Sequence, residues 1–273
     1  MHRFAAIPSP SFSVIELGPL TIHFYALSII LGVAVAIYWG NKRYVALGGR
    51  SGLVSDVALF AVPAGVVGGR IYHVVTTPEL YFGRYGHPIE AFYIWQGGLG
   101  IWGAIALGYG GAYWGWRKKR NSDDLSFMHF IDALAPGIVM AQAIGRWGNW
   151  FNHELFGKPT TLPWGLTIPL ADRPMGYKEF ATFHPTFLYE SLWCIAVAYI
   201  LVTFIPSTWR AGSTFLSYIS LYTVGRMWIE ALRIDDAHHV LGIRLNVWVS
   251  VIIFIIANGL LLRRNFTNKK YHE

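Results

Sequence analysis

Cysteine occurs once in this chain of 273 residues, at position 194. A lone thiol excludes an internal disulfide and a cysteine-built metal cluster, and the apolar run around Cys194 suits a small buried hydrophobe better than a nucleophile. Charge is scarce too: 14% of the residues are Asp, Glu, Lys or Arg, against 54% hydrophobic. With a mean hydropathy of +0.39, that balance excludes a soluble globular domain and points to an integral membrane protein. Pro8, Pro10 and Pro19 come before any long apolar run, so no cleavable signal peptide is expected and the first span is expected to target the chain. An internal repeat and a matched pair of interrupted helices, common in secondary transporters, are both missing. No histidine pair, His238-His239 included, has zinc-ligand spacing with a carboxylate on the same helix face, so neither a metal nor a cofactor is expected.

What is present is apolar, aromatic and punctuated by basic loops. The 12 Trp suit belts at the two membrane interfaces. The formal charge of +7 does not imply nucleic acid, because the basic residues lie in short loops between apolar runs. About seven runs are long enough to cross a bilayer core, which takes roughly 17 to 25 residues. They fall near 20–39, 53–76, 94–116, 127–150, 184–205, 213–232 and 245–262, so the fold class is all-α, a polytopic membrane protein. Lys42, Arg43 and Arg50 follow the first span, Arg117 to Arg120 the third, Arg210 the fifth, and Arg263, Arg264, Lys269 and Lys270 the last. The other side has sparser basic residues, such as Arg3, Arg84 and Lys158, several balanced by acids. Positive charge favours the cytoplasm, which puts the N-terminus outside and the C-terminus inside. Residues 152–183, rich in Pro and Gly, then form a small extracytoplasmic cap between spans four and five of a single domain, 1–273.

Ionisable residues within spans are costly and are functional candidates by default. Three arginines qualify: Arg70 in GGRIYH, Arg146 in GRWGN and Arg226 in LYTVGRMWIEALR. All lie toward the outward ends of their spans. Arg146 and Asn149 share a helical face, as do Tyr222, Arg226 and Glu230. An intrahelical Arg226–Glu230 pair is the structural alternative. A shared anionic ligand explains all three arginines at similar depth, because guanidinium forks match phosphate oxygens. Pro185 suits a helix start after His184, and Glu190, one to two turns further, is expected to partner one of the arginines. The glycines of Gly65–Gly69 and of WQGGLGIWG suit close helix packing, although Gly97 and Gly98 also offer bare backbone to a lipid headgroup. Asp56 and Asp132 are expected to cap helix starts.

The run GRWGNWFNHELFG, Gly145 to Gly157, resembles the signature of the bacterial prolipoprotein diacylglyceryl transferases. HFYAL at Tyr25, GGRIYH at Arg70, WQGGLG at Gly97, HPTFLYE at His184 and YTVGRMWIEALRIDD at Arg226 extend the resemblance over most of the chain. It implies a seven-span enzyme of the bacterial cytoplasmic membrane with its active site toward the outer face. It also implies two partners, phosphatidylglycerol and prolipoprotein signal peptides with a lipobox cysteine, among the surrounding membrane lipids. The diacylglyceryl group would pass to that thiol, releasing glycerol 1-phosphate. Family roles fall on Tyr25, Arg146, Asn149, Glu154, Gly157, Tyr222, Arg226 and Glu230. Arg146 and Arg226 would stabilise the leaving phosphate with help from Arg70, and Glu154 would be the first candidate base, ahead of His153 and His184. Many members read HGG where this chain has Trp102-Gly103-Ala104, a tryptophan variant resembling actinobacterial members, so a histidine base at that position is excluded. The rival reading is a protein that binds or transports anionic lipid without covalent chemistry.

Overall fold

The computed structural model describes residues 6–18, 20–122, 124–206 and 208–265; Pro19, Arg3, Lys269 and Lys270 lie outside the described residues. A short hairpin, β1 (Val14–Leu17) with β2 (Leu20–His23), leads into α1 (Phe24–Ala46). Next come α2 (Leu53–Thr76), a one-turn α3 (Glu79–Phe82), α4 (Ile101–Lys119) and α5 (Phe127–Phe151). Strands β3 (Leu166–Thr167) and β4 (Thr182–Phe183) pair before α6 (Thr186–Thr203) and α7 (Ser213–Leu232). A hairpin of β5 (His239–Val240) and β6 (Ile243–Arg244) ends in α8 (Leu245–Asn265).

Five helices, α1, α2, α5, α6 and α8, are long and apolar enough to cross a membrane. Helices α4 and α7 have 19 and 20 residues, but glycines and a basic end dilute the first, and Ser, Thr, Arg226 and Glu230 the second. Two expected boundaries are corrected. The run expected at 20–39 begins as strand β2 and continues as helix to Ala46, which places Lys42 and Arg43 in the last turns of α1, where cations suit the helix dipole. The run expected at 94–116 becomes helix only at Ile101, because Gly97 and Gly98 hold left-handed backbone at φ 86° and 70°, a geometry no helix continues through. Residues 77–100 are therefore a second long connection.

The described residues form two compact units, one of Asn41–Phe130 and one of the chain up to Gly40 with the chain from Ile131 on. In the first, α2 and α4 pack through glycines. A side chain on Gly68 would strike the Gly103 carbonyl, one on Gly103 the Gly68 carbonyl, and the Gly100 N–H donates to Gly69 O at 2.8 Å. The bare faces let the backbones touch.

In the second unit, a Cβ on Gly32 would lie 2.9 Å from Ala141 O, and one on Gly137 3.0 Å from Ala36 O, so α1 and α5 also meet backbone to backbone. The core joins Val139 and Ala143 of α5, Cys194 and Val197 of α6, and Tyr218 of α7. Cys194 is fully buried, as its sequence neighbours imply. Residues 152–183 contribute Phe156, Leu166, Ile168 and Phe183 to a small core shared with Phe187 of α6. Asp132 caps the start of a different helix. Its carboxylate accepts the Gly212 and Phe215 N–H groups at 2.6 and 2.8 Å, closing the N-terminus of α7, whose entering residue Gly212 has no side chain to do so. Asp132→Ala is expected to cost roughly 1–2 kcal/mol, the usual range for a lost cap; a thermal midpoint equal to wild type in detergent would count against this role.

Candidate active site

The C-terminal turns of α5 and α7 and the first turns of α6 bring the second unit's charged residues together. Glu190 of α6, 3% exposed, is the meeting point. Its Oε1 forms an ion pair with Arg146 Nη2 at 2.9 Å and accepts from the Tyr222 hydroxyl at 2.9 Å, while its Oε2 accepts from Arg226 Nη1 at 3.2 Å. The intrahelical pair also forms, with Arg226 Nη2 at 2.6 Å from Glu230 Oε2. Arg226 therefore makes the intrahelical pair and also takes the partner expected of Glu190. A guanidinium has five N–H donors, so each arginine keeps donors beyond these bonds. Their side chains are 24% and 16% exposed, enough for a ligand to reach them.

Helix α5 ends in a way that presents the next acid. The His153 N–H donates to Trp150 O and the Glu154 N–H to Asn149 O, the paired bonds of a Schellman ending. The left-handed position holds His153, φ 54°, where glycine is usual. Two side-chain bonds from the ring offset that cost, Nδ1 to Asp172 Oδ2 and Nε2 to Pro10 O, both at 2.8 Å. Both ring nitrogens are thus taken by protein partners. The turn folds Glu154 back over Asn149, whose Nδ2 donates to Glu154 Oε1 at 2.7 Å while its Oδ1 accepts from Arg146 at 3.3 Å. Asn152 donates to the same Glu154 oxygen at 3.3 Å.

Gly157 closes this loop. Its N–H donates to His184 O at 2.9 Å, and the next N–H, of Lys158, to Leu232 O at 2.9 Å. A Cβ there would lie 2.9 Å from that of His184. The His184 ring meets the Tyr189 hydroxyl at 3.1 Å, which also accepts from Trp164 Nε1 at 3.0 Å. Burial, with the positive charge of Lys158, pushes the His184 pKa below its ordinary value, so the ring is neutral at neutral pH. Tyr25, at the start of α1, lies against Gly148, where a Cβ would come within 2.5 Å of its ring.

Comparison with known proteins decides the family. Residues 13–263 match the family Prolipoprotein diacylglyceryl transferase. The chain belongs to this family. It is 56% identical over 258 residues to phosphatidylglycerol-prolipoprotein diacylglyceryl transferase 2 of Streptomyces coelicolor, covering 92% of this chain and 78% of that protein. Against the Streptomyces griseus enzyme it is 54% identical over 257 residues, 93% and 76% of the two chains. Against the Cutibacterium acnes enzyme it is 51% identical over 251 residues, 91% and 83%.

Within that family frame, Arg70 has a separate setting in the first unit. Its guanidinium donates to the carbonyls of Glu90, Ala91, Gly97 and Gly98, which ties the 77–100 connection to α2 and leaves at most one donor for a ligand. Gly97 and Gly98, which precede α4, supply carbonyl acceptors to Arg70. Trp102 lies in the first turn of α4 and is 40% exposed; its indole N–H can donate but not take a proton. The sequence reading undervalued Glu190, expected to pair with one arginine but shared by two, and passed over Arg244 and Asn246. These donate to Glu230 Oε1 at 2.9 and 3.1 Å. Their only signal was a lone arginine just before an apolar run.

Two outcomes are expected. Gly157→Ala should lose about 1–3 kcal/mol of stability, the usual cost of overpacking, and its turnover with it; unchanged values of both would refute the packing role. Asp235, whose oxygens accept from Arg233 at 2.7 Å and from Arg244 at 3.0 Å, is raised by burial but held below its ordinary 3.8 because the Arg233 bonds, with the charges of Arg233 and Arg244, outweigh that burial. Its contribution is complete above that ordinary value and is lost as pH falls through the lower folded one. Below pH 3.8, wild type should lose thermal stability more steeply than Asp235→Asn; parallel curves would show that the clamp adds nothing.

Proposed function

We infer that this protein transfers the diacylglyceryl group of phosphatidylglycerol to the lipobox cysteine of a prolipoprotein, the first step of lipoprotein maturation. The observation that carries the reading is the convergence of Arg146 and Arg226, from α5 and α7, on one buried point in a chain whose relatives bear that activity in their names. The substrate thiol loses its proton, and its sulfur attacks the glycerol carbon bonded to phosphate. A carbon–sulfur bond forms and the carbon–oxygen bond breaks, giving a thioether and glycerol 1-phosphate. The phosphate passes from one negative charge as a diester toward two as a monoester. Guanidinium donors that Glu190, Glu230 and Asn149 leave over stabilise that gain, which is worth most in a site shielded from water.

Within this reading Glu154 takes the thiol proton. Its Oε1 is held by two amides, which leaves Oε2 to act. Asn149 keeps the base and Arg146 in register, Tyr222 does the same for Glu190, and Tyr25 packs the floor at Gly148. His153 is committed to its two acceptors, and His184, though neutral, is tied to Tyr189. Trp102 needs no part in the proton transfer. Arg70 and the Gly97-Gly98 pair support the fold of the 77–100 connection.

The same proposal gives seven spans, adding α4 and α7 to the five apolar helices, since both have the roughly 17 to 25 residues a bilayer core requires. Basic residues at the ends of α1, α4 and α8 support a cytoplasmic C-terminus and an outer N-terminus. Residues 152–183 then cap the outer end of one transferase domain in the bacterial cytoplasmic membrane, facing its lipobox substrate.

Purified protein incubated with phosphatidylglycerol and a synthetic lipobox peptide should increase the peptide's mass by one diacylglyceryl group. Folded Arg226→Ala should lose about 100-fold to 1,000-fold in turnover, as when one transition-state donor is removed. Lipid binding without a mass increase would instead favour the binding or transport reading.

A further inference from the structure

Glu230 is 0% exposed, accepts hydrogen bonds from Arg233 Nη1 at 3.2 Å, Arg244 Nε at 2.9 Å and Asn246 Nδ2 at 3.1 Å, and pairs by charge with Arg226 Nη2 at 2.6 Å. A carboxylate offers about four lone-pair sites. Three are taken by hydrogen bonds and the fourth partner, Arg226, covers the rest of a fully buried group, so Glu230 acts through the groups it holds. It grips one terminal nitrogen of Arg226, which leaves the other facing Glu190. Arg244 secures that grip from outside the helix. Its Nε goes to Glu230, its Nη2 to Asp235 Oδ2 at 3.0 Å, and its Nη1 to the carbonyls of Asp235 and Arg233 at 2.8 and 3.3 Å. Every nitrogen of the fork is used, on acceptors in different directions. A lysine carries one nitrogen and cannot reproduce this.

We propose that Arg244, with Asn246, is a positioning residue of the transfer reaction that acts through Glu230 to aim Arg226. Arg244 is buried and meets no substrate. The proposal rests on the reading of Arg226 as the group that receives the lipid phosphate. It assigns the short β5–β6 hairpin a purpose, since that hairpin delivers Arg244 at its last residue and Asn246 in the first turn of α8. A small tilt of a guanidinium weakens the bond made in the transition state more than it weakens lipid binding, because Arg146 still holds the headgroup.

The test is a kinetic comparison of wild type, Arg244→Lys, Asn246→Leu, Arg226→Lys and the Arg226→Lys/Arg244→Lys pair, with phosphatidylglycerol and a lipobox peptide. Arg244→Lys should lower kcat about tenfold, below the roughly hundredfold that a 1 Å misplacement can cost, with KM for the lipid within about threefold. Asn246→Leu, which removes one neutral donor and leaves every charge in place, should lower kcat about threefold. In the double variant the Arg244→Lys loss should vanish, because there is no fork left to aim. Wild-type kcat in folded Asn246→Leu or Arg244→Lys overturns the proposal, and so do losses that multiply in the double variant. Wild-type turnover in Arg226→Lys alone overturns the reading beneath it, which separates the two failures.

Discussion

The site depends on one buried carboxylate shared by two arginines. Glu190 joins the C-terminal turns of α5 and α7, through Arg146 on one oxygen and Arg226 on the other. Two guanidiniums at this depth repel each other, and a single acid between them makes their approach affordable. Removing that acid leaves uncompensated charge, so Glu190 governs both the position of the arginines and their coexistence. Within the ion-paired cluster, Arg146, Arg226, Arg233 and Arg244 face Glu190, Glu230 and Asp235. One positive charge is left over, the complement of a phosphodiester, with Glu154 held off it by the amide of Asn149.

Much of the fold was legible because apolar run length is a strong signal. The helices at 53–76 and 213–232 fall where the sequence places them. The failures have local causes. A sliding sense of apolarity cannot see that Gly97 and Gly98 adopt positive φ, so the expected third span starts too early and takes in the last residues, 94–100, of the connection built on Arg70. In the site, spacing on one helix sufficed for Arg146 with Asn149 and for Arg226 with Glu230. Partners from other helices did not follow from spacing: Glu190 could be assigned to an arginine but not to two, and Arg244 gave no pattern at all.

The GRWGNWFNHELFG run illustrates how a motif divides its work. Arg146 faces the ion-paired cluster, Asn149 bridges it to Glu154, His153 reverses the chain and Gly157 allows close approach to His184. One of these residues carries the cluster's charge, one carries the acid, and the others are geometry. Their density in a short stretch reflects the end of a helix, where the direction of the chain, the free carbonyls and the exposed side chains all have to be settled within a few residues.

The anchoring of Glu230 by Arg244 and Asn246 also has a consequence for biogenesis. Both donors come from the last hairpin and helix, so a ribosome completes α7 before two of the groups that bond to its buried acid exist. Until α8 emerges, Glu230 has only Arg226 and Arg233 from its own neighbourhood. The final segment to be synthesised thus supplies the last hydrogen bonds of a buried carboxylate and, with Arg244, the one positive charge by which the cluster exceeds its acids.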